Sequence, residues 1–185
     1  MSRTEIKIGG FGGQGVILTG MIIGRAATIY EGRNATLTQS FGPEARGGAC
    51  SAQLVITDEK SFYPFVNKPD VLVVMSQPAC DKYSCELKGG GLALYESKLV
   101  DVARLPAGSK KYGIEATNIA ESLGRRMVLN IVMLGFFSAL CDVVKPDSIR
   151  RAIEDSVPSG TIKLNLDAFQ RGFDLGQKQR AQNPI

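Results

Sequence analysis

The sequence predicts an α/β fold: a single domain, with a mostly parallel β-sheet flanked by helices and a helical C-terminal half. Three observations predict it. An apolar strand over residues 6–9 runs into a glycine-rich loop and then into a segment of helical periodicity. Residues 71–75, Val-Leu-Val-Val-Met, are continuously apolar, the pattern of a strand buried on both faces. From residue 116 onward the apolar spacing is helical almost throughout.

Taken in order, Ile6, Lys7, Ile8 and Gly9 make the first strand, and Gly10, Gly12, Gly13 and Gly15 follow it. Residues 16–30 place Val16, Leu18, Ile22, Ile23, Ala26 and Ile29 near helical spacing, with Gly32 as a C-cap. Residues 34–38 are β-rich. Residues 39–48 are a loop punctuated by Ser40, Gly42, Pro43, Gly47 and Gly48. Cys50, Ala52, Leu54 and Ile56 alternate with Ser51, Gln53 and Thr57, which predicts a half-exposed third strand. After the 71–75 strand, a short helix is expected over 79–87, ended by Gly89, Gly90 and Gly91. Strands follow at 92–95 and, more weakly, at 111–114. Helices are expected over 116–123, 127–140, 148–156 and 168–179. Residues 1–176 show no repeat, linker or second core and read as one domain; the polar tail, 177–185, is expected to fray.

Composition narrows the function. Apolar residues are 44% and charged residues 22%, which is globular composition. A chain of 185 residues buries roughly 70% of its unfolded surface and stands without disulfides or a structural metal. Histidine is absent, which excludes Ser-His-Asp and Cys-His catalysis and every Cys/His zinc set. The net charge of +4 is too diffuse to argue for nucleic acid. Cys50, Cys80, Cys85 and Cys141 include no C-x-x-C pair, so iron–sulfur and zinc sites lack their spacing. They read as reduced thiols of a cytoplasmic protein. The N-terminal residues lead straight into a strand, so no signal peptide is expected. The longest apolar stretch, 127–141, carries Asn130, Gly135 and Ser138 and is too short to span a bilayer.

Gly10-Phe11-Gly12-Gly13-Gln14-Gly15 matches G-x-G-x-x-G in the required context, after a strand and before a helix. Such glycines let a ligand approach the backbone, and the following helix start offers free N–H groups to an anion. A dinucleotide site also needs an acid at the end of the second strand. Thr38 and Gln39 stand there, and Glu31 sits before that strand, so NAD is disfavoured. Two readings stay open: binding of another phosphate or anion, and a ligand-free strand-to-helix crossover. The loop after the second strand should lie at the same carboxyl edge. Its Arg46 offers a forked donor to carboxylate or phosphate, unless it and Glu44 form an ordinary surface ion pair.

These two segments carry a resemblance. Residues 10–16, Gly-Phe-Gly-Gly-Gln-Gly-Val, and residues 40–48, Ser-Phe-Gly-Pro-Glu-Ala-Arg-Gly-Gly, resemble the gamma subunit of 2-oxoacid:ferredoxin oxidoreductases. That family includes the pyruvate, 2-oxoglutarate and ketoisovalerate enzymes. Leu123-Gly124 with Asn130, Leu134 and Gly135 is similar to the family's long central helix. Residues 165–172, with Asn165, Ala168, Phe169 and Gly172, are similar to its C-terminal N-x-x-A-F-x-x-G segment.

The resemblance implies a multisubunit enzyme that oxidatively decarboxylates a 2-oxoacid with coenzyme A and passes electrons to ferredoxin. It implies thiamine diphosphate, magnesium and iron–sulfur clusters in alpha, beta or delta partner subunits, and no cofactor held by this chain. The absence of a G-D-G motif with a later Asn-Asn agrees with that. No catalytic residue and no metal ligand is expected. The expected cofactor-binding set is Gly10, Gly12, Gly13, Gln14, Gly15, Ser40, Arg46 and Asn130, for an anion or a phosphate of coenzyme A. The alternatives are a stand-alone Rossmann-type nucleotide-binding oxidoreductase, a small anion-sensing protein, and the related indolepyruvate enzyme subunit. Phe41, Phe62, Tyr63 and Phe65 are loop aromatics expected either at partner contacts or folded back onto the core. In the first case the isolated chain would self-associate. No membrane partner is expected.

Overall fold

The computed structural model describes residues 3–41, 49–59 and 63–183. Strands β1 (Arg3–Phe11), β2 (Asn34–Ser40), β3 (Ala49–Thr57), β4 (Val71–Val74), β5 (Leu92–Glu96) and β6 (Lys110–Ile114) form one sheet in the order β2-β3-β1-β4-β5-β6. β1, β4, β5 and β6 run parallel, so the sheet is mostly parallel, as the sequence predicts. β3 is antiparallel to both β1 and β2. The chain between β2 and β3 is hairpin-length, whereas a parallel return needs a crossover of about a dozen residues or more.

Helices α1 (Val16–Arg25, continued by a π-type turn, Ala26–Tyr30), α3 (Ala116–Ser122), α4 (Leu129–Leu140), α5 (Pro146–Glu154) and α6 (Ile162–Gln182) cover one face. They pack on Ile6, Ile8, Leu54, Ile56, Val73 and Leu94 in a single large core. The other face is thinner. There Leu72, Val74 and Ala93 meet α2 (Gln77–Tyr83), Val100 and Leu105. Lys7 lies buried on this side. Its ammonium pairs with Glu86 and stands 4.3 Å from the centre of the Tyr83 ring, and Gly9 leaves the room that Tyr83 occupies.

Every residue of α4 is buried, which explains its unbroken apolar sequence. It lies between the sheet and α6. The two helices cross backbone to backbone at Gly135 and Gly172: a methyl group at either would run into a main-chain carbonyl, that of Phe169 or that of Val132.

Two expectations are corrected, and one left open between two readings is narrowed. β3 is not half-exposed; only Ala49 and Gln53 escape full burial, because the strand is internal to the sheet and α2 reaches over it. The last helix begins at Ile162 and runs to Gln182, so most of the supposed frayed tail is helical. It is tied down at its end: Gln179 donates to the Gly113 carbonyl (2.8 Å), Arg180 forks onto Asp142 (2.6 and 2.8 Å), and Tyr112 donates to the Asn183 carbonyl (2.6 Å). Finally, Phe41, Tyr63 and Phe65 do not fold back onto the core but are exposed. They form no single patch. Phe41 follows β2 at the carboxyl edge, whereas the carbonyls of Tyr63 and Phe65 accept from Arg3 at the start of β1. Phe62 lies outside the described residues.

The four cysteines are free: Cys50, Cys80 and Cys141 are buried and Cys85 is exposed. Desolvation pushes the buried thiols up, that of Cys141 to about 11. A thiol-reactive dye should therefore titrate one cysteine quickly in the native protein and four in denaturant; four fast thiols in the native state would contradict this burial.

The helix crossing makes a second prediction. Gly135→Ala and Gly172→Ala should each destabilise by about 3 kcal/mol, at the upper end of overpacking costs. Gly160→Ala, where nothing lies within 4 Å, should be close to neutral. Urea unfolding measures this, and equal midpoints for all three variants would refute the contact.

Candidate functional site

The glycine loop leaves the carboxyl end of β1 and delivers the chain to α1. Its shape is set by its own side chains and by α4. Gln14 bends back so that its Oε1 accepts the Phe11 N–H (2.6 Å), while its Nε2 donates to the Met75 carbonyl at the end of β4 (2.9 Å). This amide therefore spans the gap between β1 and β4, from whose ends the chain departs to opposite faces. Gly10 has no spare room, since a methyl there would lie 2.8 Å from Gln14 Oε1. Gly15 adopts φ 74° and is overlain by Asn130, the second residue of α4. A methyl on Gly15 would lie 2.5 Å from Asn130 Nδ2, which itself donates to the Gly15 carbonyl at 3.5 Å.

Gly12 and Gly13 are different. Nothing lies within 4 Å of the position a side chain would take on either. Gly13 holds φ 94°, a conformation that favours glycine. Gly13 borders a cavity of about 320 Å³ lined by Phe11, Gly13, Gln14, Arg126, Met127 and Leu129. α1 begins at Val16, two residues after Gln14 in the cavity wall, and a helix start carries unpaired N–H groups and a partial positive charge.

The predicted residues thus separate by role. Gln14 and Asn130 hold the loop, Gly10 and Gly15 make room for them, and Gly12 and Gly13 present open backbone. Ser40 sits at the same carboxyl edge, because β2 and β1 run in the same direction on either side of β3. It stands in one row with Ser51 and Gly9, two strand spacings or about 10 Å from β1. That row faces α2, whereas the loop turns toward α1. Arg46 and Glu44 lie outside the described residues.

Sequence reasoning missed Arg125 and Arg126. They precede α4 and are brought to the loop because Asn130 is pinned on Gly15. Arg126 reaches Glu121 only at 3.9 Å, and the Arg125 side chain has no partner among the described residues. The available signal was an adjacent arginine pair, after a glycine, at the entrance to a helix too apolar to be anything but buried. Glu31, the one acid at the sequence distance of a ribose-binding carboxylate, accepts the Lys145 N–H (2.7 Å) beyond the far end of α1. A larger, open hollow of about 540 Å³ lies beside β6, between α3 and α6. The glycine loop is the candidate site, because open backbone, a following helix start and an arginine lie close together there. Among the described residues no group of three or more acids or cysteines is arranged to hold a metal, and no helix is long and apolar enough to cross a membrane.

Known proteins are similar to this chain in sequence and fold. A 2-oxoglutarate synthase subunit, KorC, of Methanocaldococcus jannaschii is 47% identical over 178 residues, 95% of each chain. The solved gamma subunit of a keto/oxoacid ferredoxin oxidoreductase from Geobacter sulfurreducens superposes with a TM-score of 0.83 at 41% identity, over 95% of this chain and 99% of that one. The 2-oxoglutarate:ferredoxin oxidoreductase of Magnetococcus marinus, solved with 2-oxoglutarate, coenzyme A and succinyl-CoA bound, shares the fold at 23% identity and a TM-score of 0.85. This chain spans 32% of that one, so there the fold is one part of a longer polypeptide. The relatives are subunits of oxidoreductases that act on 2-oxoacids, and the family model that matches residues 5–175 is that of pyruvate ferredoxin/flavodoxin oxidoreductase, to which this chain belongs.

Proposed function

We propose that the chain serves as the gamma subunit of a cytoplasmic 2-oxoacid:ferredoxin oxidoreductase and that its glycine loop, with Arg126, seats a phosphate of coenzyme A. One observation carries the second half: Gly12 and Gly13 present bare backbone just before a helix, and Gly13 lies across a cavity from a weakly paired arginine. Backbone N–H groups and a helix dipole favour an anion there, and a guanidinium supplies the forked donors that match phosphate oxygens.

In the reaction proposed for the complex, the 2-oxoacid loses carbon dioxide, two electrons pass to ferredoxin, and the acyl group joins the coenzyme A sulfur. Thiamine diphosphate, magnesium and iron–sulfur clusters belong on this reading to alpha, beta and delta partners. The described residues do not fit them: the cysteines are scattered through the fold and no acid cluster faces the loop. This chain's own work is to bind, orient and neutralise. 2-Oxoglutarate is the first substrate to try, given the 47% identical relative.

Reconstitution with the partner subunits tests the proposal. Coenzyme A-dependent reduction of ferredoxin should require this chain, which should be inactive alone. Gly12→Val should raise KM for coenzyme A at least about tenfold without changing the thermal midpoint, since the added side chain meets open space in the free protein. Arg126→Ala should raise it roughly tenfold, the cost of one charged hydrogen bond. Unchanged KM in both variants would remove the loop from the site; full activity of the partners alone would remove the chain from the enzyme.

A further inference from the structure

The sheet has two edges, and they are finished differently. The β6 edge carries Lys110 and Lys111 at its start and Glu115 just past its end, and Gln179 of α6 donates to its Gly113 carbonyl (2.8 Å). Charge and a covering helix are the usual guards of a sheet edge. The β2 edge has neither. Asn34–Ser40 contains no charge and no proline, and its register with β3 runs unbroken, so no bulge turns it aside. The direction of its backbone groups follows from the ladder. Glu5 and Gly9 of β1 give their carbonyls to the Asp70 and Met75 N–H groups on the β4 side. Alternation then turns Ile6 and Ile8 toward β3, Val55 and Gln53 of β3 toward β2, and Thr36 and Thr38 of β2 back toward β3. Ala35, Leu37 and Gln39 are left with N–H and C=O pointing out of the sheet, and these groups have no partner among the described residues. The side chains of Ala35 and Leu37 face α1, where Gly20 sits against Leu37. At helical spacing Ile17, Gly20 and Gly24 share that flank, and Met21 beside them is 49% exposed.

We infer that β2 is a docking edge for a second copy of this chain: two β2 strands pair antiparallel about a two-fold axis at Leu37 and join the sheets of both copies into one. The outward groups are self-complementary. Ala35 and Gln39 stand at equal distances on either side of Leu37, so in this register Leu37 meets Leu37 and Ala35 meets Gln39, each as a hydrogen-bonded pair. Every outward donor then finds an acceptor. The partner strand lies about 4.8 Å away and brings its own Leu37 to the α1 side, beside the Leu37 already there. The charge pattern selects a copy over a different protein. Recognition between unlike chains commonly rests on opposed charges. Neither β2 nor Ile17, Gly20, Met21 and Gly24 on the adjoining flank supplies any, and a copy sets no like charge against itself. The contact is isologous and closes at two copies, because the edges left outside are the guarded β6 edges. It does not depend on what the glycine loop binds.

The test is sedimentation equilibrium of the full chain across a dilution series, together with amide hydrogen exchange read residue by residue. The chain should sediment as a dimer that dissociates to a monomer on dilution. At the dimeric end the Ala35, Leu37 and Gln39 amides should exchange at least about tenfold more slowly than at the monomeric end. The Thr36 and Thr38 amides, already turned to β3, serve as the internal control. Gln39→Pro removes an outward N–H and spares the β3 ladder, a change that edge strands tolerate. It should weaken dimerisation at least about tenfold, for two hydrogen bonds lost per dimer, and leave the monomer's thermal midpoint unchanged. A chain that is monomeric at every concentration overturns the inference, as does a dimer whose three outward amides exchange as fast as the monomer's. So does a monomer whose β2 amides become protected only when partner subunits are added, for the edge then belongs to another chain. If Gln39→Pro fails to fold, exchange on the parent chain decides.

Discussion

The close crossing of α4 and α6 is the contact on which the site depends. With glycine at residues 135 and 172 the two backbones meet without intervening side chains. That lets α6 press α4 flat against the sheet, and every residue of α4 is consequently sealed from water. α4 then has little freedom to slide. Its second residue, Asn130, lands on Gly15, and the segment just before it, carrying Arg125, Arg126 and Met127, is delivered to the mouth of the glycine loop. A shift of α4 by one residue, about 1.5 Å along its axis, would break that seating. Close packing in the middle of the helical layer is thus translated into the position of two guanidinium groups at its edge.

The loop is organised for binding more than for proton transfer. Gln14 satisfies Phe11 and Met75 with one side chain, so the loop is already shaped, and on the proposed reading a ligand there would cost little ordering entropy. Among the described residues, the groups whose pKa values are displaced are Tyr30, Lys88, Asp142, Arg180 and the three buried thiols, and none of them lines the glycine-loop cavity. Catalytic acids and bases are commonly tuned by just such displacement. The cavity instead offers backbone, an arginine and apolar walls, which suits an anion that is held while bonds are broken elsewhere.

The fold was largely legible because its strongest signals are periodic or compositional. Continuous apolar runs gave β4 and α4, and the glycine loop stood in its strand-to-helix context. What escaped depends on tertiary neighbours. Alternation in β3 suggested one wet face, but the pairing of β3 between β1 and β2 puts both faces under cover. The start of α6 was read too late because residues 162–167 are held by packing on α4 and α5, not by strong local propensity. Its end was read as frayed because the bonds from Gln179 and Arg180 reach residues 38 to 66 positions away. Within the site, motif position located the glycines but not their division of labour. Whether a glycine or an amide faces a ligand or a neighbour is decided by Asn130 and Met75, which are 115 and 61 residues distant from their partners. Lys7, buried in the central strand, gave no warning at all; only Glu86 and Tyr83, far along the chain, make it tolerable there.

The same fold stands as a whole chain in the Geobacter gamma subunit and as 32% of a longer chain in the Magnetococcus enzyme. The core explains how both are workable. It closes on itself: the sheet is covered on both faces, the β6 edge is bridged by α6, and the end of α6 is tied down by Tyr112 and Asp142. Among the described residues the two sides of the sheet are filled by this chain's own side chains. Further polypeptide, as in the longer Magnetococcus chain, can therefore be added at the surface without redesigning the packing. Among the described residues the surface retains exposed apolar side chains: Met21 and Ile29 on α1 and its π-type continuation, Leu175 on α6, Met127 at the mouth of the glycine-loop cavity, and the aromatics at two edges of the sheet. Met127 is the most exposed of these, at 83%, and it stands at the lip of the glycine-loop cavity. A large apolar side chain left so open gains most if something covers it, either the ligand or the partner against which the ligand is presented. On the proposed reading both arrive at the same place, and a phosphate gripped by a closed, self-sufficient domain becomes a handle by which that domain holds a reactive thiol toward chemistry it does not itself perform.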